Sequence, residues 1–92
     1  MTRKQILDAA DHCVNGERDE QYGTPESSFD EIARLWTAYL NYHFTPLDVA
    51  VMMVLLKIAR IKTGHGKMDN WVDLAGYAAC GGEIEASYVG ND

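Results

Sequence analysis

The stretch Thr45-Pro46-Leu47-Asp48-Val49-Ala50-Val51-Met52-Met53-Val54-Leu55-Leu56-Lys57-Ile58-Ala59-Arg60-Ile61 constrains this chain more than any other. It predicts a helix of about four turns. Thr45 suits the N-cap, Pro46 the first helical position, and Asp48 the acid of a capping box. The apolar residues from Val49 to Ile58 do not keep to one stripe but run almost all the way round. A helix that is apolar all round needs cover all round. The run is shorter than the ~20 apolar residues that a bilayer requires. The expectation is a central helix in a soluble bundle, completed by a second copy of the chain. Charge begins where the apolar run stops, at Lys57, Arg60 and Lys62.

The flanking sequence reads as three more helices. The spacing of Ile6, Ala9, Ala10, Cys13 and Val14 predicts a first helix over Thr2–Val14, ended by Asn15-Gly16 with Gly16 in the left-handed position. His12 and Cys13 are adjacent and so diverge by about 100° on a helix, which leaves His12 a surface residue rather than a metal ligand. Residues 17–24 form a polar connector in which the Tyr22-Gly23 turn and Arg18 are candidates to line a pocket. Thr24-Pro25 opens a second helix whose apolar face carries Phe29, Ile32, Ala33, Trp36, Tyr39 and Leu40, ending near Tyr42-His43-Phe44. Gly64-His65-Gly66 closes the third helix. Asp69, read as an N-cap, opens the fourth. Gly76 inside that helix costs about 1 kcal/mol against alanine, which points to close approach of another helix or a ligand. Gly81-Gly82 is expected to weaken the helix, leaving residues 83–92 as a frayed tail. No strand alternation or repeat appears. The fold expected is an all-α, four-helix bundle in a single domain spanning residues 1–92.

Composition narrows the function classes. The 92 residues carry a net charge of −6, which argues against general binding to DNA, RNA or anionic membrane. The charge is uneven, however, because four of the eight Lys and Arg residues lie between positions 57 and 67. A local anion site is compatible with that pattern. Cys13 and Cys80 fit no zinc or C-x-x-C spacing and read as reduced thiols. Met1-Thr2-Arg3-Lys4 leads into a mixed polar helix rather than a signal peptide, so a cytoplasmic setting is expected.

The residues most able to carry chemistry sit at the junction of the third and fourth helices. Lys57 and Arg60 are three positions apart on one helix. Asp69 and Asp73 are four apart on the next, with Tyr77 four further on. Two readings stand side by side. In one, a cation pairs with Asp73 and fixes helix register. In the other, Asp69 and Asp73 hold Mg²⁺ while Lys57, Arg60 and Lys67 hold phosphate oxygens. No Ser or Cys, His and acid set for nucleophilic catalysis is apparent.

The combination Arg18…Gln21-Tyr22-Gly23, Phe29…Ile32-Ala33…Trp36, Asp48-Val49-Ala50…Met53…Lys57-Ile58-Ala59-Arg60 and Asp69…Trp71-Val72-Asp73-Leu74-Ala75-Gly76-Tyr77 resembles a family of small, uncharacterised phage and prophage proteins, over about residues 5 to 85. It is also distantly similar to phage nucleotide-modification-associated and MazG-like helical proteins. That likeness implies a homo-oligomer and a nucleotide site at Lys57, Arg60, Asp69 and Asp73. If carried through, it also implies Mg²⁺-dependent nucleoside triphosphate pyrophosphohydrolysis. The second helix departs from the MazG pattern, since Ser27, Asp30 and Glu31 form no Glu-x-x-Glu pair.

The leading expectation is therefore a phage-type protein in an infected or lysogenic host. It binds, and sequesters, a phosphorylated nucleotide or nucleotide-derived signal. Lys57, Arg60 and Lys67 would take the phosphate, and Tyr22, Trp71 or Tyr77 the base or sugar, with Arg18 in the pocket wall. The alternatives are the Mg²⁺-dependent hydrolase and an acidic inhibitor of a host defence protein acting through Glu17, Asp19 and Glu20.

Overall fold

The computed structural model describes residues 1–16, 24–64 and 67–89. The expectations placed on Glu17, Arg18, Asp19, Glu20, Tyr22 and Gly23, and on the His65 tip, lie outside these residues. Four helices follow in order: α1 (Arg3–Asn15), α2 (Pro25–Leu40), α3 (Pro46–Lys62) and α4 (Asp69–Val89). The described residues contain no strand, and no helix among them is long and apolar enough to cross a membrane.

Short polar side chains set the helix starts. Thr45 Oγ1 accepts the Asp48 N–H at 3.1 Å, and Asp48 Oδ2 accepts the Thr45 N–H at 3.0 Å, closing a capping box with Pro46 at the first position. Thr2 and Gln5 form the same reciprocal pair on α1. Thr24 caps α2 through the Ser27 N–H at 3.2 Å. Thr45→Ala removes the acceptor for a helix-end donor. It is expected to cost about 1 kcal/mol, read as a lower urea midpoint at unchanged slope.

Several ends differ from expectation. Gly16 closes α1 with φ −84°, not in the left-handed region. The position still excludes a side chain, because a Cβ there would lie 2.5 Å from the His12 carbonyl oxygen. α2 stops at Leu40, earlier than expected, because Asn41 takes the left-handed conformation at φ 52°. The Phe44 N–H then donates to Thr37 Oγ1 at 2.9 Å, and the Phe44 ring meets Trp36 edge-on at 5.9 Å. Trp36 is thus a packing residue, whereas Tyr39 and Leu40, expected on the same apolar face, are exposed. Asp69 lies in the first turn of α4 rather than capping it, since the Asn70 and Trp71 N–H groups reach back to the Lys67 and Met68 carbonyls.

The larger correction concerns which helix is central. α4 packs against α1, α2 and α3, and α3 chiefly against α4 and α2. The small residues of α4 make this possible. A Cβ on Gly76 would sit 3.2 Å from Val14 Cγ1, and one on Gly81 would sit 3.1 Å from Ala50 Cβ. Gly76 thus marks a close helix approach, as its mid-helix position suggested. Gly81-Gly82 does not end α4, because Gly81 packs closely against the Ala50 side chain of α3. The helix continues to Val89, and Ile84, expected in a frayed tail, is 1% exposed. It joins Phe29, Ala33, Val49, Ala50 and Cys80 in the core. One chain covers α3 on one side only, not all round: Val49 and Ala50 are buried, while Val51 and Leu55 are more than half exposed.

Candidate functional site

α3 and α4 run antiparallel: Ala50 lies against Gly81, and Lys57 reaches Asp73. This brings the cationic end of α3 to the acidic start of α4. The stripe of α3 that carries the buried Val49 and Ala50 and the half-buried Met53 continues to Lys57, one turn beyond Met53. Lys57 is accordingly buried, at 8% exposure. Its aliphatic stem lies among the helices and its ammonium ends 2.9 Å from Asp73 Oδ2. The Asp73 side chain remains 39% exposed. The cation facing Asp73 therefore comes from its own chain.

This pair forms the inner wall of an open depression. Arg60, Lys67, Asp69 and Asn70 complete the lining. Arg60, Lys67 and Asp69 are exposed, and none is in an ion pair among the described residues. With Lys57 and Asp73 offsetting each other, two cations and one acid face solvent at this spot on a chain of net charge −6. The residues suit an anion better than a resident metal. Asp73 already has a cation, so a divalent ion would find one unengaged carboxylate, Asp69, and one that must exchange its lysine. Among the described residues no three His, Cys, Asp or Glu side chains converge on a common point.

Trp71 is half exposed beside this depression, in a shallow pocket shared with Ile61, Lys67 and Met68. Lys67 is the common wall of the two hollows. Tyr77 does not join them: its ring packs 6.1 Å from that of Phe29. It lines a second cleft between α1, α2 and α4, together with Cys13, Val14 and Ser28, which shares only Asp73 with the depression. The structure thus gathers Lys57, Arg60, Lys67, Asp69 and Asp73, sets Trp71 at the edge, and directs Tyr77 elsewhere. Sequence reasoning had singled out neither Asn70 nor the Cys13–Ser28 cleft. Gly76, which lines that cleft, was the available signal for it.

Comparison with known proteins gives the chain relatives. Residues 5–85 match the family described as "Domain of unknown function (DUF6378)". Over 78 residues the chain is 44% identical to the Gene 55 protein of Mycobacterium phage D29, covering 84% of this chain and 51% of the phage protein. Over 74 residues it is 49% identical to the Gene 55 protein of Mycobacterium phage L5, covering 79% of this chain and 47% of that protein. The chain thus spans about half the length of these two relatives. No solved structure matches it. The expected likeness to an uncharacterised phage family stands on these matches, whereas the likeness to MazG-like proteins rests on the quoted residues alone.

Proposed function

The chain belongs to the family described as Domain of unknown function (DUF6378), and we propose that this member binds a phosphorylated nucleotide or nucleotide-derived signal molecule where α3 meets α4. The observation that carries the reading is the place of Lys67, which walls both the cationic depression and the Trp71 pocket. A ligand with a flat ring and a phosphate matches that pairing. The ring stacks on Trp71, and the phosphate spans Lys67 and Arg60. Lys57 and Asp73 hold the two helices in register beneath it. Asp69 is the free carboxylate, suited to a ribose hydroxyl or to a Mg²⁺ that arrives with the phosphates. Binding of this kind without turnover sequesters the ligand.

Thermal unfolding of the chain against nucleoside triphosphates and cyclic nucleotides, with and without Mg²⁺, tests this. A true ligand at a hundred times its Kd stabilises by about 2.7 kcal/mol. Arg60→Ala and Lys67→Ala each remove a charge-assisted hydrogen bond of roughly 1.5–3 kcal/mol, which weakens binding about tenfold or more. Trp71→Ala should discriminate against nucleotides while sparing inorganic phosphate. An unchanged melting temperature at millimolar ligand sinks the proposal. Mg²⁺-dependent loss of a triphosphate, abolished by Asp73→Asn, would replace sequestration by hydrolysis.

A further inference from the structure

The face of α3 turned away from the core is apolar in the middle and charged at its ends. Val51, Met52, Leu55, Ile58 and Ala59 are exposed along it. Asp48 stands one turn before this patch and Lys62 one turn after it. Both are exposed, and neither is in an ion pair among the described residues. Asp48, Leu55 and Lys62 are spaced by seven, with Val51 and Ile58 at the intervening apolar positions of the same heptad pattern. A straight helix drifts only about 20° per heptad, so the three stay on one line.

That line is complementary to itself when reversed. Laid antiparallel about a two-fold axis at Leu55, position 51 meets 59, 52 meets 58, and the acid at 48 meets the cation at 62. A two-fold contact needs this kind of self-complementarity. A parallel pairing would instead set Asp48 on Asp48 and Lys62 on Lys62. We propose that two copies of this chain dimerise through an antiparallel α3–α3 contact centred on Leu55, with Asp48 of each facing Lys62 of the other. The contact lies on the opposite side of α3 from Lys57, so it stands independently of the nucleotide reading.

Sedimentation equilibrium of the full chain over a range of concentrations, with helicity followed by circular dichroism, is the first measurement. The mass should approach twice that of the chain, and Leu55→Asp should return it to the monomer with helicity retained. Cysteine crosslinking then reads the register in a Cys13→Ser background. Leu55→Cys should form an interchain disulfide on mild oxidation, because the axis sets the two positions face to face. Lys62→Cys should not, since the two cysteines would stand about 21 Å apart along the pair. A monomer at all concentrations overturns the proposal. Ready crosslinking at position 62, or none at position 55 in a chain that is dimeric, overturns the antiparallel register.

Discussion

Ile84→Ala is expected to cost roughly 2–5 kcal/mol. Ile84 is 1% exposed and is one of the two largest fully buried side chains among the described residues. Removing its outer carbons leaves a void that the surrounding helices close only in part. A chain of this size has on the order of 5–14 kcal/mol of total stability, so this one change takes a large share. The urea midpoint should fall sharply. Truncation after Gly82 should go further and abolish cooperative unfolding, because it removes the last two turns of α4 together with Ile84. If the truncated chain instead unfolds cooperatively near the original midpoint, the C-terminal part of α4 is not part of the core.

The second large effect is asymmetric. Asp73→Ala leaves the Lys57 ammonium buried without its partner. Fully buried pairs lose about 3–5 kcal/mol when one member is removed. Asp73 is 39% exposed, so water reaches the vacated position and the expected cost falls to roughly 2 kcal/mol. Lys57→Met keeps the stem volume and removes the charge that needs a partner. The carboxylate left behind is open enough to hydrate, so the loss should stay below about 1.5 kcal/mol. Paired denaturation curves for the two variants check this order. If Lys57→Met proves the costlier change, Asp73 depends on its cation more than exposure indicates, and the pair is more than a structural strut.

Much of the secondary structure was legible because it is written in neighbouring residues. Thr2, Thr24 and Thr45 each precede a helix and bond a donor three positions on. Pro25 and Pro46 follow two of those caps. Such signals act over one turn and need no knowledge of the rest of the chain. The candidate site was also partly legible. Lys57 and Asp73 lie on helices joined by a short connection, and antiparallel pairing brings the end of one to the start of the next. Which of Lys57 and Arg60 would take Asp73 was not legible. Packing decided it, by placing Lys57 on the buried stripe and Arg60 toward solvent.

Where the sequence reading failed, a local cost had been offset at a distance. Gly81-Gly82 is a poor helical pair judged by itself. Against α3 the missing side chain at Gly81 is what lets Ala50 approach, and the helix is carried through to Ile84. Asp69 likewise resembled a cap until the turn at Met68 took up the N-terminal donors. Tyr77 was aligned with the acids by i, i+4 spacing, but the ring follows Phe29 into another cleft.

By itself, then, the sequence determined an all-α chain, where three of the four helices begin, and that opposite charges would gather between the third and fourth. Capping, proline placement and helical period are short-range effects and survive without a tertiary context. Only the tertiary structure decided that α4 rather than α3 is the hub, that Lys57 is the buried partner of Asp73, and that one face of α3 is left uncovered by its own chain. Those outcomes depend on which small residues let two backbones approach, and a contact between positions 50 and 81 has no signature at either position alone.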